Sequence, residues 1–215
     1  MKRNLGLGVF LAVLVLQLCV AVTAARCEQL GYSDFPYTAD GVTITLATTG
    51  NVTSYPDSWS DCGGTVTTKA GAIWIAQSGI PGTITNTFSP AASSVTYNIT
   101  ASNNGETFTV TTSGEIPSIT VDAGCGYSVV GNVLTLTGSD VGATFTVTVS
   151  TPVTSVTVAH SGGGGGSLIT LESEYTAGTA TVPVSGGSMA VLLLLICAAG
   201  TVCLKKRKPP AGAPA

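Results

Sequence analysis

Residues that could do chemistry are few in this 215-residue chain. His160 is the single histidine, which excludes zinc sites built on several imidazoles and leaves one candidate base for a Ser-His relay. Its neighbour Ser161 gains no attack geometry from adjacency, and no Gly-x-Ser-x-Gly turn occurs. His160 is therefore expected as a solvated side chain at a strand end. Carboxylate pairs facing each other across a cleft hydrolyse glycosidic bonds, but the eleven acids here are scattered singly over turns. No catalytic residue is assigned and no enzyme activity is expected. Asp57 and Asp61, with the hydroxyls of Ser58 and Ser60, offer hard oxygens to Ca²⁺, although their spacing matches no EF-hand loop. Trp59 beside them, together with Trp74, offers an aromatic platform for a sugar. Trp74 stands between Ile73 and Ile75, so it reads first as core packing.

Cysteine chemistry depends on compartment, and the chain ends specify one. Met1-Lys2-Arg3-Asn4 is a short basic region, Leu5 to Val22 is apolar apart from Gln17, and Val22-Thr23-Ala24-Ala25 supplies small residues for cleavage. Residues 1–25 thus read as a secretory signal. Met189 to Leu204 is apolar or small throughout and runs directly into Lys205-Lys206-Arg207-Lys208. At about 1.5 Å per helical residue, residues 188–204 reach across a thin bilayer core, and the basic cluster holds the tail, residues 205–215, in the cytoplasm. The expected topology is single-pass type I, with the ectodomain outside the cell membrane.

Cys19 leaves with the signal, and Cys197 and Cys203 fall in the apolar span, so the oxidising side keeps Cys27, Cys62 and Cys125. A Cys27–Cys62 bridge is preferred because it would staple the N-terminal segment to the domain; Cys125 is the alternative partner. Cys203, beside the cytoplasmic cations, is a candidate for acylation. Asn51-Val52-Thr53 and Asn98-Ile99-Thr100 are glycosylation sequons, and Asn98, between Tyr97 and Ile99, is expected on the wet face of its strand.

The same division sorts the charge. Only Arg26 and Lys69 lie between the signal and the span, against all eleven acids, so the ectodomain carries a net charge near −9 while the whole chain carries −3. A surface of that sign repels phosphate backbones, so no nucleic-acid partner is expected.

From Val42 to Leu171 apolar residues alternate with Thr or Ser, as in Val42, Ile44, Leu46 and in Phe145, Val147, Val149. Period two with one dry face means strands, and turn signals such as Gly79-Ile80-Pro81-Gly82 and Thr151-Pro152 separate them. Asn104-Gly105 suits a type I′ hairpin turn joining the strand that ends near Ser102 to the strand from Glu106 to Thr112. Nine to eleven short strands without helical periodicity give an all-β class: one antiparallel β-sandwich or jelly roll over residues 26–173. The five-glycine run, Gly162 to Gly166, is expected as a loop inside that domain. Residues 174–187, small and Thr-rich, then form a stalk.

Two stretches carry a resemblance. Phe145 to Leu171, with its Thr151-Pro152 turn and Gly-rich loop, resembles β-modules of secreted bacterial surface proteins. The tail, with Val182-Pro183-Val184-Ser185-Gly186-Gly187, an apolar segment and a basic cluster, resembles C-terminal sorting signals of the IPTL or PEP type. Pro183 is not followed by Thr-Leu or Glu, and no Trp precedes the apolar segment. The resemblance implies surface display. The functional expectation is a structural, adhesive or ligand-contacting surface protein, its partners being the membrane and an extracellular protein or glycan. A carbohydrate-binding or carbohydrate-processing domain using Trp59 is the alternative. A viral envelope glycoprotein shares the topology but requires an exposed apolar loop.

Overall fold

The computed structural model describes residues 28–39 and 41–177. The signal, most of the stalk, the apolar span, the basic tail, Cys27 and Cys203 lie outside the described residues. Within them the chain is all-β and antiparallel, with three single turns of 3₁₀ helix and no α-helix. Fourteen strands follow in order. The first seven are β1 Gln29–Leu30, β2 Tyr37–Ala39, β3 Val42–Gly50, β4 Val52–Ser54, β5 Trp59–Asp61, β6 Val66–Thr68 and β7 Ile73–Ile75. The rest are β8 Gly82–Ser102, β9 Thr107–Thr112, β10 Ser118–Gly124, β11 Tyr127–Val130, β12 Val133–Leu136, β13 Val141–His160 and β14 Ser167–Ala177.

Two of these strands are not short. β8 has 21 residues and β13 has 20, and they pair with each other along most of their length. Drawn straight, β8 would span roughly 70 Å at about 3.3 Å per residue. The Tyr97 hydroxyl nevertheless donates to Asn86 Oδ1 at 3.1 Å, eleven positions earlier in the same strand. The ribbon is therefore folded back on itself. The fold lies where the ladder register breaks twice, between Thr148 and Val153 and again between Val153 and Ser155 of β13, the second break facing the stretch of β8 that holds Pro90. Proline has no amide hydrogen to give a ladder, so the pairing lapses there without a lost donor. Thr151-Pro152, expected to separate two strands, instead marks this bend within one.

The folded ribbon builds the sandwich. Its open-end half, residues 82–89 with 155–160, continues on one side into β3 and β2 and on the other into β9, β12 and β11. The other half, residues 92–102 with 141–148, continues into β10 on one side and into β14 on the other. β14 in turn carries β7 and β1 along its far edge, and β4 follows β7. Alternation puts the apolar side chains of both halves between the layers. Tyr97 stacks on Phe145 with ring centroids 5.5 Å apart, and Ile84, Phe108, Leu134, Val158, Ile169 and Leu171 close around them. Burial pushes the Tyr97 phenol far above its ordinary range, so it stays a neutral donor to Asn86.

Two further expectations need correction. Asn104-Gly105 does not close a hairpin: β8 and β9 are not paired, and only Gly105 of the two has positive φ, at 85°. The turn carries the chain from one layer to the other. The glycine run is a loop inside the domain as expected, and it too crosses between layers. The strand after it extends to Ala177, so residues 174–177 belong to the sandwich and not to a stalk.

The preferred disulfide is also corrected. Cys62 is bonded to Cys125. This bridge fastens the small β5–β6 hairpin, which covers the outer side of the second layer, to the β10–β11 connection. The hairpin packs on the ribbon through Thr68 Oγ1 and Thr100 Oγ1, 2.7 Å apart, and through the Asp61 carboxylate. Gly142 beneath it leaves the necessary room, since a Cβ there would sit 2.5 Å from the Ile99 carbonyl oxygen and 3.3 Å from Val66.

Candidate functional site

The first site grows from that hairpin. Asp61 is 5% exposed, and its two carboxylate oxygens are both used: Oδ2 accepts the Ala101 amide at 2.6 Å and Oδ1 accepts the Trp59 indole N–H at 3.0 Å. A buried carboxylate thereby fixes the ring of Trp59, which stands 37% exposed. Tyr55 packs edge-on against Trp59 with centroids 6.3 Å apart and against Trp74 at 5.3 Å, so three aromatic rings form one row. Such T-shaped pairs are worth about 0.5–1.5 kcal/mol each beyond area burial, which keeps the row rigid. Trp74 is half-exposed and donates its indole N–H to the Gly165 carbonyl at 3.0 Å. It is not core, because in β7 the inward side chains are its neighbours Ile73 and Ile75.

Beside Trp59 an open cleft is lined by Gln29, Ser58, Ser60, Thr67 and Lys69. Gln29 spans it, donating from Nε2 to the Thr67 carbonyl and accepting the Lys69 amide. Lys69 Nζ is 2.9 Å from Asp34 Oδ2. Burial acts to raise the Asp34 carboxyl, yet the Lys69 contact and the Gly31 amide outweigh it and hold it below its ordinary value. The cleft thus combines an aromatic face with a rim of hydroxyl, amide and paired charge.

Of the expected Ca²⁺ ligands, Asp57 is exposed and Asp61 accepts one hydrogen bond at each carboxylate oxygen; among the described residues no group of three or more His, Cys, Asp or Glu side chains is placed to hold a metal. Asn98 is not on a wet face: at 4% exposure it lies under cover, with Nδ2 donating to Glu172 Oε1 and Oδ1 accepting from Thr144. A glycan on Nδ2 would displace Glu172 from it. Asn51 is half-buried, and its Nδ2 donates to the Gln77 carbonyl.

The second cluster was illegible in the sequence because its members lie far apart. At the end of the sandwich where both layer crossings occur, Glu106, His160 and Ser167 meet at 1%, 2% and 0% exposure. His160 is therefore buried and not solvated; it also packs edge-on against Phe108 at 4.7 Å. Its Nδ1 accepts the Gly162 amide at 2.9 Å, which puts the ring proton on Nε2, 3.1 Å from Ser167 Oγ. Ser102 Oγ donates to the same oxygen at 2.8 Å, and Ser167 gives its own proton to Glu106 Oε2 at 2.9 Å. This polarity is the reverse of a Ser-His-acid relay, in which the histidine accepts from the serine. The signal that could have found the cluster is the apolar alternation running through His160 and Ser167, which marks both as inward.

Glu106 supplies a pH test. Burial works to raise its carboxyl, but the nearby His160, its Nε2 3.7 Å away, together with hydrogen bonds from the Asn103 amide and Ser167, prevails and lowers it. A carboxyl lowered in the folded state adds stability above its unfolded value of about 4.3, and that stability is lost as pH falls through the lower folded value. Glu106→Gln is expected to cost roughly 1–3 kcal/mol at neutral pH. The difference from the wild type should shrink steadily as pH is lowered from about 5 towards 3 in circular-dichroism melts. A constant difference over that range would remove Glu106 as a source of acid lability.

Compared with known protein families, with curated proteins and with solved structures, the chain finds no match.

Proposed function

We propose that the chain is a single-pass type I surface protein whose β-sandwich makes non-catalytic contacts outside the cell, and that the aromatic row of Trp59, Tyr55 and Trp74 is the contact site for a glycan. The observation that carries this reading is the exposed Trp59 ring, held in place by an otherwise buried carboxylate. A large apolar side chain left in water at the rim of a polar cleft is the arrangement expected where a ligand supplies the missing cover. Sugar rings present C–H faces for the aromatic plane and hydroxyls for the hydroxyl and amide rim. The apolar span with its basic flank supports the tether, and the secretory signal supports the compartment.

A glycan array probed with the wild type and with Trp59→Ala tests the site. Wild-type binding reduced at least tenfold in the variant, about 1.4 kcal/mol, is the expected outcome. Equal binding by both proteins, or none by either, removes the glycan reading. Protease added to intact cells tests the topology, and the sandwich should be lost from their surface.

A further inference from the structure

The two layers differ in charge. Among the strand residues of the first layer, which comprises β2, β3, β9, β11, β12 and the open-end half of the ribbon, there is no Asp, Glu, Lys or Arg. Asp122, Glu172 and Glu174 stand on strands of the second layer, and Asp57, Glu115 and Asp140 in connections. A surface kept in water is usually about 25–35% charged, with both signs interspersed. A whole sheet face without charge departs from that pattern and calls for a partner.

The face is tiled instead with threonine. Ile44, Ile84, Val158, Phe108 and Leu134 point inward, so the alternate positions of their strands point out. Register aligns those positions in rows. Thr49, Thr83, Ala159, Thr109, Val133 and Val130 cross six strands, and Ala47, Thr85, Thr157 and Thr111 cross four beside them. The Thr85 and Thr157 hydroxyls lie 2.9 Å apart. Thr45, Ala47, Thr87 and Thr111 are exposed, and Val130, 78% exposed, ends the longer row as a bare apolar side chain. At about 4.8 Å between strands and 3.3 Å per residue the face measures roughly 25 Å by 20 Å. Two such faces in contact bury about 1,000 Å², the area at which a specific interface begins.

We infer that a second copy of the chain docks on this face, sheet against sheet, in a two-fold dimer. Charge selects the occupant. Lys69 is the one Lys or Arg among the described residues, so two copies that meet through the second layer or the connections bring like charges together. The threonine face joins them without that repulsion. Its chemistry is also self-complementary, because a two-fold axis sets a patch against its own copy and a hydroxyl both donates and accepts hydrogen bonds. Threonine methyls, with Ala47, Ala159, Val130 and Val133, give the contact its apolar part. Trp59 lies on the hairpin over the second layer, so the dimer leaves the aromatic row open on both copies.

The test measures the mass of the full-length chain in detergent by sedimentation, with the bound detergent subtracted. The wild type should be a dimer. Thr157→Glu, at the middle of the face, should be monomeric, its dissociation constant raised about 100-fold or more because the contact then buries an unpaired charge. Thr157→Ser, which keeps the hydroxyl, should stay dimeric. Thr120→Glu, on the outer face of the second layer, should leave the dimer as it was. Far-UV circular dichroism establishes that each variant folds. A monomeric wild type overturns the proposal and leaves the face to a ligand of another kind. A dimer that survives Thr157→Glu places the contact elsewhere, in the apolar span or at a sheet edge, and overturns it equally.

Discussion

Replacing Cys62 and Cys125 with Ser is expected to lower the stability of the sandwich by roughly 4 kcal/mol, the loop-closure value for a bridge between residues 63 apart. The loss should be greatest around β5 and β6, because the hairpin is held otherwise by the Asp61 contacts and the Thr68–Thr100 pair. Urea unfolding of the oxidised, reduced and double-Ser proteins measures the total, and hydrogen exchange of the Asp61 to Thr68 amides measures the local part. If the glycan reading is right, the same change weakens sugar binding, since Trp59 is positioned from this hairpin. A stability change below about 1 kcal/mol would mean that the bridge adds nothing the packing does not already supply.

Phe145→Ala is the second large effect, with an expected cost of about 3–5 kcal/mol. The ring is fully buried against Tyr97 at the centre of the two layers, and the flanking β8 and β13 backbones are paired and cannot close in on a cavity. Tyr97→Phe isolates the polar contribution: it keeps the ring stack but strips Asn86 Oδ1 of its donor, for an expected cost of about 1–3 kcal/mol. Asn86 is itself fully buried, so no water takes the place of the hydroxyl. Denaturant midpoints of the two variants and the wild type give both numbers. A Tyr97→Phe protein as stable as the wild type would show that the hydrogen bond does not hold the ribbon closed.

The class of the fold was readable because period-two alternation is a local signal. Val42, Ile44, Phe145, Val147 and Leu171 were all assigned to strands from it, and those strands are present. What escaped reading was long-range. Nothing local distinguishes a Pro152 that ends a strand from one that bends it, nor reveals that β8 and β13 each serve both layers. Asn98 was assigned to water by the same alternation, yet Glu172 and Thr144 from the neighbouring strands engage both ends of its amide and it is buried. Cys125 could not be preferred over Cys27 without knowing that the β10–β11 connection passes near the hairpin. Of the two clusters, Trp59 was legible through its own exposure-prone context. Glu106, His160 and Ser167 come from three strand ends, and only the crossing of the layers unites them.

The place of β14 sets when this domain is able to fold. It is the last described strand in the chain, yet it lies inside its layer with β8 on one side and β7 and β1 on the other. A chain emerging from its N-terminus during synthesis has β7 and β8 ready with no strand to insert between them. Their unpaired edges are open templates for other chains until Ser167 to Ala177 arrives. Vectorial folding is thus blocked until the final eleven-residue strand is delivered. Products truncated before Ser167 are expected to aggregate, not to accumulate as a smaller domain.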